Sequence, residues 1–179
     1  MIDPVASRRL TYWLLFLVFW LLVMFVRLLP LDVSAGGWPG PNWTMLAAFA
    51  WVLRRPSYVP VLLVAVLLFI EDLVFMRPPG IGAALTIIGL EFLRSRAKFA
   101  RELAFLFEYG MVAGVVIAVV LANRLLLGLF VVPNVNLPLD VANIVVTLLA
   151  YPIIVVVSSQ IFGLRHAPLG SFDASGHST

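Results

Sequence analysis

The chain has no cysteine and only two histidines, His166 and His177. Disulfide scaffolds, thiolate metal sites and thiol nucleophiles are thereby excluded. Charge is also scarce: 12% of the 179 residues are Asp, Glu, Lys or Arg, against about 25% in soluble domains. There is no H-E-x-x-H pair, no serine–histidine couple within an apolar run and no glycine-rich phosphate loop. Gly80, Ile81 and Gly82 lack the third glycine and the preceding strand of a dinucleotide fingerprint. Glu71 and Asp72 are adjacent, whereas an acid–base dyad brings carboxylates together from different elements. These absences argue against an enzyme, and neither a cofactor nor a metal is expected.

Apolar residues fill the space left by charge. They make up 63% of the chain, and the mean hydropathy is +1.08. A water-soluble core of this size could not hide so much apolar surface, so the solvent is lipid. Six runs stand out, at residues 10–29, 43–53, 58–76, 81–93, 104–130 and 141–164. Twenty residues at ~1.5 Å each cross a ~30 Å hydrocarbon layer. The runs at 43–53 and 81–93 are short. They must extend into their neighbours or end within protein, and the former could merely re-enter the membrane. The expected fold class is an all-α integral membrane protein: six transmembrane helices in one bundle over residues 1–166, with 167–179 a disordered tail. Arg8 and Arg9 before the first run, and Val33-Ser34-Ala35 after it, imitate a secretory signal. The run is too long for one and contains Arg27, so it reads as a retained span.

Lysine and arginine in the short gaps set the orientation. With the amino terminus inside, the inner segments hold Arg8, Arg9, Arg54, Arg55, Arg94, Arg96, Lys98, Arg101 and Arg165, nine of the 12 basic residues. Both termini are therefore expected in the cytoplasm. The same charges account for the isoelectric point of 9.8. They suit an anionic lipid surface, and no nucleic-acid partner is expected.

Ionisable groups within apolar runs each require a reason. Arg27, Glu71, Asp72, Arg77, Arg124 and Asp140 fall toward the outer face. They read as a structural ion-pair cluster, with a contact to another membrane protein or to a ligand as the alternatives. Glu71 and Asp72 diverge by about 100° on a helix, so one should face the bundle and the other a partner helix or the headgroups. Toward the inner face, Glu91 has Arg94 and Ser95 as local partners, and Glu108 lies near the basic loop of residues 94–101. Gly110, Gly114, Ala118 and Ala122 place small residues at every fourth position of the fifth run, a surface for close helix approach. Its partner is either another span of the chain or a second protein. In the sixth run Asp140, Asn143, Thr147 and Tyr151 share one face; Asp140 is positioned to cap the helix start and Pro152 to kink the helix.

Two segments carry a family likeness. They are Phe49-Ala50-Trp51-Val52-Leu53-Arg54-Arg55-Pro56 and Glu71-Asp72-Leu73-Val74-Phe75-Met76-Arg77-Pro78-Pro79-Gly80. With the exit Glu91-Phe92-Leu93-Arg94-Ser95-Arg96, they resemble the rod shape-determining MreD family over roughly residues 10–164. The family has an acidic residue near the end of the third span and a proline–glycine turn opening the fourth, here Asp72 and Pro79-Gly80. Before the second span the family pattern is proline then aspartate; Pro41-Asn42 keeps a capping oxygen without the charge. The resemblance implies a non-enzymatic subunit of the cell-elongation machinery in the bacterial inner membrane. Such a subunit binds MreC and, through it, MreB, RodA and a penicillin-binding transpeptidase. Arg54, Arg55 and residues 94–101 are then the cytoplasmic edges a partner could read. MreD is in turn similar in size and span count to the S components of energy-coupling-factor vitamin transporters, the alternative reading. Those carry Ala-x-x-x-Ala on the first span, whereas Leu10-Thr11-Tyr12-Trp13-Leu14-Leu15-Phe16 is bulky.

Overall fold

The computed structural model describes residues 4–29, 40–56, 59–102, 105–130 and 136–160. Among these residues the chain forms six α-helices and no strand: α1 (Pro4–Leu28), α2 (Trp43–Arg54), α3 (Val61–Val74), α4 (Ile81–Glu102), α5 (Phe105–Leu129) and α6 (Leu137–Gln160). Each coincides with one of the six apolar runs. Residues 161–179, with both histidines, Arg165 and the expected disordered tail, lie outside the described residues.

The shortest helix is the centre of the fold. α2 has 12 residues, about 18 Å of rise, too little to cross a hydrocarbon layer of about 30 Å. Every residue from Thr44 to Arg54 is buried, because α4 and α6 pack along it and α1 closes a further side. A helix apolar all round has no face to give to solvent, so it belongs inside. Ala47, Ala48 and Ala50 keep it narrow, while Phe16 of α1 meets the Trp51 ring edge-on at 5.2 Å. α1 contributes Phe16, Trp20, Val23 and Met24, one face at helical spacing.

Helix boundaries differ from the sequence expectation: α1 begins early, at Pro4, and α3 is trimmed to Val61–Val74, but the larger differences concern α4 and α6. The basic segment 94–101 is not a loop: α4 continues through it to Glu102. Leu90, Leu93, Ala97 and Ala100 are all buried at spacings of three and four, so an apolar face persists while Arg96, Lys98 and Phe99 stay exposed. This extension gives the short fourth run its length. α6 begins at Leu137, ahead of the apolar run, because proline is tolerated in a first helical turn and Pro138 falls there. It continues unbroken past Pro152.

Among the described residues three helices are long and apolar enough to cross a membrane: α1 over Arg9–Leu28, α5 and α6. Their outer faces are apolar as well. On α6, Val141, Val145, Leu149, Ile153 and Val156 form an exposed stripe. Facing water, such stripes would be association surfaces; facing acyl chains, they are at rest.

Candidate functional site

The carboxy-terminal ends of α1, α3 and α5 meet the amino-terminal ends of α2, α4 and α6. The charges expected toward one face gather at this end. α3 ends in a Schellman turn: Met76 adopts the left-handed conformation at φ 51°, its N–H donates to Leu73 O at 3.2 Å, and Arg77 N–H donates to Asp72 O at 2.9 Å. Four residues after Met76, Gly80 adopts φ 88°, a region open to glycine, and α4 starts. The free backbone donors of that start are met by Asp72, whose Oδ2 accepts from Gly80 N at 3.2 Å and Ala83 N at 3.3 Å. At Gly82, a Cβ would lie 3.3 Å from Asp72 Oδ1. The Asp72 to Pro79-Gly80 segment is thus one device, a carboxylate of α3 capping the next helix across the turn that Pro79 and Gly80 form.

Glu71 and Asp72 do not divide between bundle and exterior as expected, since both are buried. The end of α3 lies between α1 and α4, so directions about 100° apart are both covered. Glu71 Oε1 accepts from Arg27 at 2.5 Å, and the same guanidinium lies 4.4 Å over the Phe75 ring. Asp140 does not cap α6, which starts three residues earlier; it pairs with Arg124 of α5. The polar face of α6 is used as the spacing suggests. Asn143 Nδ2 donates to Gly40 O at 3.0 Å, Asn42 N–H donates to Thr147 Oγ1 at 3.3 Å, and Asn42 Oδ1 caps α2 at Met45 N.

These groups border a cavity of about 750 Å³. Arg27, Glu71 and Asp72 line one side, Arg124 and Asp140 another, and Arg77 and Met76 its edge, with Met45, Leu68 and Leu127 as apolar wall. Three guanidinium groups and three carboxylates in one concavity can orient a ligand bearing charges of both signs.

A second polar group lies toward the opposite end, in the core. Arg54, 3% exposed, pairs with Glu108 of α5 at 3.2 Å and donates to Ala50 O. Tyr151 of α6 donates to the same Glu108 oxygen at 2.5 Å. Arg54 is therefore not an edge for a cytoplasmic partner, and Glu108 takes Arg54 and Tyr151 as partners across the core. Arg55 is half-buried. Trp51 Nε1 donates to Ser158 Oγ at 3.0 Å, so α2 is tied to both α5 and α6. Glu91 pairs with Arg94 at 3.1 Å as its spacing suggests, and Arg94 also reaches Val59 O.

The small-residue stripe of α5 packs against no other helix among the described residues. Gly110, Gly114 and Ala118 are exposed and Ala122 is half-exposed, and a Cβ at either glycine would meet nothing within 4 Å. The close approach between helices instead uses Gly89 of α4. A Cβ there would stand 2.7 Å from Val115 Cγ1, 3.2 Å from Phe49 Cζ and 3.3 Å from Val119 Cγ2. A lone glycine in an apolar run carries no periodic signal, and the sequence reading passed over it.

Among the described residues no group of three or more His, Cys, Asp or Glu side chains could hold a metal ion. Comparison with family models, with curated proteins and with solved structures finds no match. Fold and site define an all-helical chain suited to lipid, with a charge-lined cavity at one end and a buried ion network in its core.

Proposed function

We propose that this chain is a non-enzymatic scaffold subunit of the bacterial cell-elongation complex, of the MreD type. In this reading all six helices belong to a multi-pass bundle in the inner membrane, with both termini in the cytoplasm. The chain binds MreC, and it couples RodA and its penicillin-binding transpeptidase to MreB. One observation carries the reading: a strip of small residues on α5 faces away from the bundle with open space above Gly110 and Gly114. In lipid, where apolar surface alone drives no association, such a strip serves close backbone contact. The single membrane helix of MreC is the occupant assigned to it. The interlocked Asp72 and Pro79-Gly80 turn supports the family likeness, and exposed Arg96 and Lys98 supply a basic edge. A tagged chain extracted from its own membranes should bring MreC with it, and cells lacking the chain should lose their rod form. Rod-shaped growth without the chain, and no MreC in the extract, would overturn the proposal.

A vitamin-transporter S component is the second reading, favoured by the cavity alone. Vitamin uptake that depends on this chain, with cell shape unaffected by its loss, would replace the first reading by the second.

A further inference from the structure

Most charges around the cavity are already satisfied. Arg27 and Arg124 have carboxylate partners, and Asp72 holds the start of α4. Two groups differ. Glu71 is 2% exposed; its Oε1 serves Arg27, while Oε2 is buried with no hydrogen-bond partner among the described residues. Arg77, at the cavity edge, lies 5.6 Å over the Phe75 ring and has no carboxylate within ion-pair distance among the described residues. Buried acceptors ordinarily have donors, and a guanidinium suits phosphate or carboxylate. Glu71 and Arg77 both line the cavity, so its wall holds a carboxylate oxygen without a donor and a cation without an anion among the described residues. The remaining wall is apolar at Met45, Leu68 and Leu127, and about 750 Å³ falls within the ~300–1,000 Å³ usual for small-molecule sites.

We infer that this cavity binds a zwitterionic phosphate ester, its phosphate on Arg77 and its primary ammonium on Glu71 Oε2. This is the headgroup chemistry of phosphatidylethanolamine, available from a membrane lipid or as free phosphoethanolamine. The inference stands apart from the scaffold reading, since neither MreC nor the α5 strip enters it.

The test is native mass spectrometry of delipidated full-length protein offered phosphatidylethanolamine or phosphatidylcholine of matched acyl chains. Phosphatidylethanolamine should be retained about tenfold better, because a quaternary ammonium has no N–H to give Glu71. Arg77→Gln, at an exposed position, should lower phosphatidylethanolamine occupancy about tenfold. Displacement of that lipid by millimolar phosphoethanolamine would assign the free zwitterion as ligand; failure of displacement would assign the lipid. Equal retention of both lipids, retention of neither, or occupancy unchanged in Arg77→Gln would overturn the inference.

Discussion

A carboxylate placed where a helix begins is held by backbone N–H groups, and Asp72 meets two of them at Gly80 and Ala83. Asp72→Ala removes both contacts and should lower stability by about 1–2 kcal/mol, read as a lower melting temperature in detergent. Asp72→Asn, which keeps one acceptor oxygen, should lower it less. Glu108 is more demanding. Without it Arg54 remains buried without its ion-pair partner, so Glu108→Ala should cost about 3–5 kcal/mol; a variant of undiminished stability would refute the structural role. Met76 sits at a left-handed position that L-residues adopt at a cost of about 1–2 kcal/mol, which achiral glycine avoids. Its side chain is exposed, so Met76→Gly should raise the melting temperature. Sequence reasoning separated these charges into two layers but assigned the partners imperfectly. Glu91 found its neighbour three residues on, because i,i+3 proximity is local. Glu108 and Arg54 are brought together by the packing of α5 near α2, which no local spacing encodes.

At the scale of the helix, existence was legible and extent was not. Each of the six apolar runs holds a helix among the described residues, since a run apolar enough for lipid must satisfy its backbone internally. α4 outran its expected end because hydropathy falls at residues 94–101 while the buried row Leu93, Ala97, Ala100 goes on. A window average sees the arginines and not the row. The small residues teach a similar lesson. The periodic strip on α5 stands open, whereas Gly89 seats α4 against α5 and α2. Gly89→Leu should destabilise by about 1–3 kcal/mol through overpacking. Gly114→Leu, with open space above it, should leave the melting temperature within experimental scatter. Equal losses in the two variants would contradict this assignment.

For the molecule as a whole, the proposed topology places the Asp72 end outside and the basic end of α4 inside. Because the chain lacks cysteine, a single introduced thiol reports unambiguously. Asn136→Cys, just before α6, should react with a membrane-impermeant maleimide in intact spheroplasts. Lys98→Cys should react only after permeabilisation, and the reverse pattern would invert the orientation. Composition made helices suited to lipid readable, and the gap charges propose the orientation that this labelling tests. The cavity was not readable, because its walls come from all six helices and the segment before α2, and only their packing makes a concavity. The scaffold account rests on helix sides, not on a reacting group. Its most direct test is therefore purification of tagged wild-type and Gly114→Leu chains from native membranes, with MreC recovery and melting temperature measured on the same samples. The account predicts that Gly114→Leu loses MreC while melting as the wild type does. Full recovery of MreC by Gly114→Leu would contradict it.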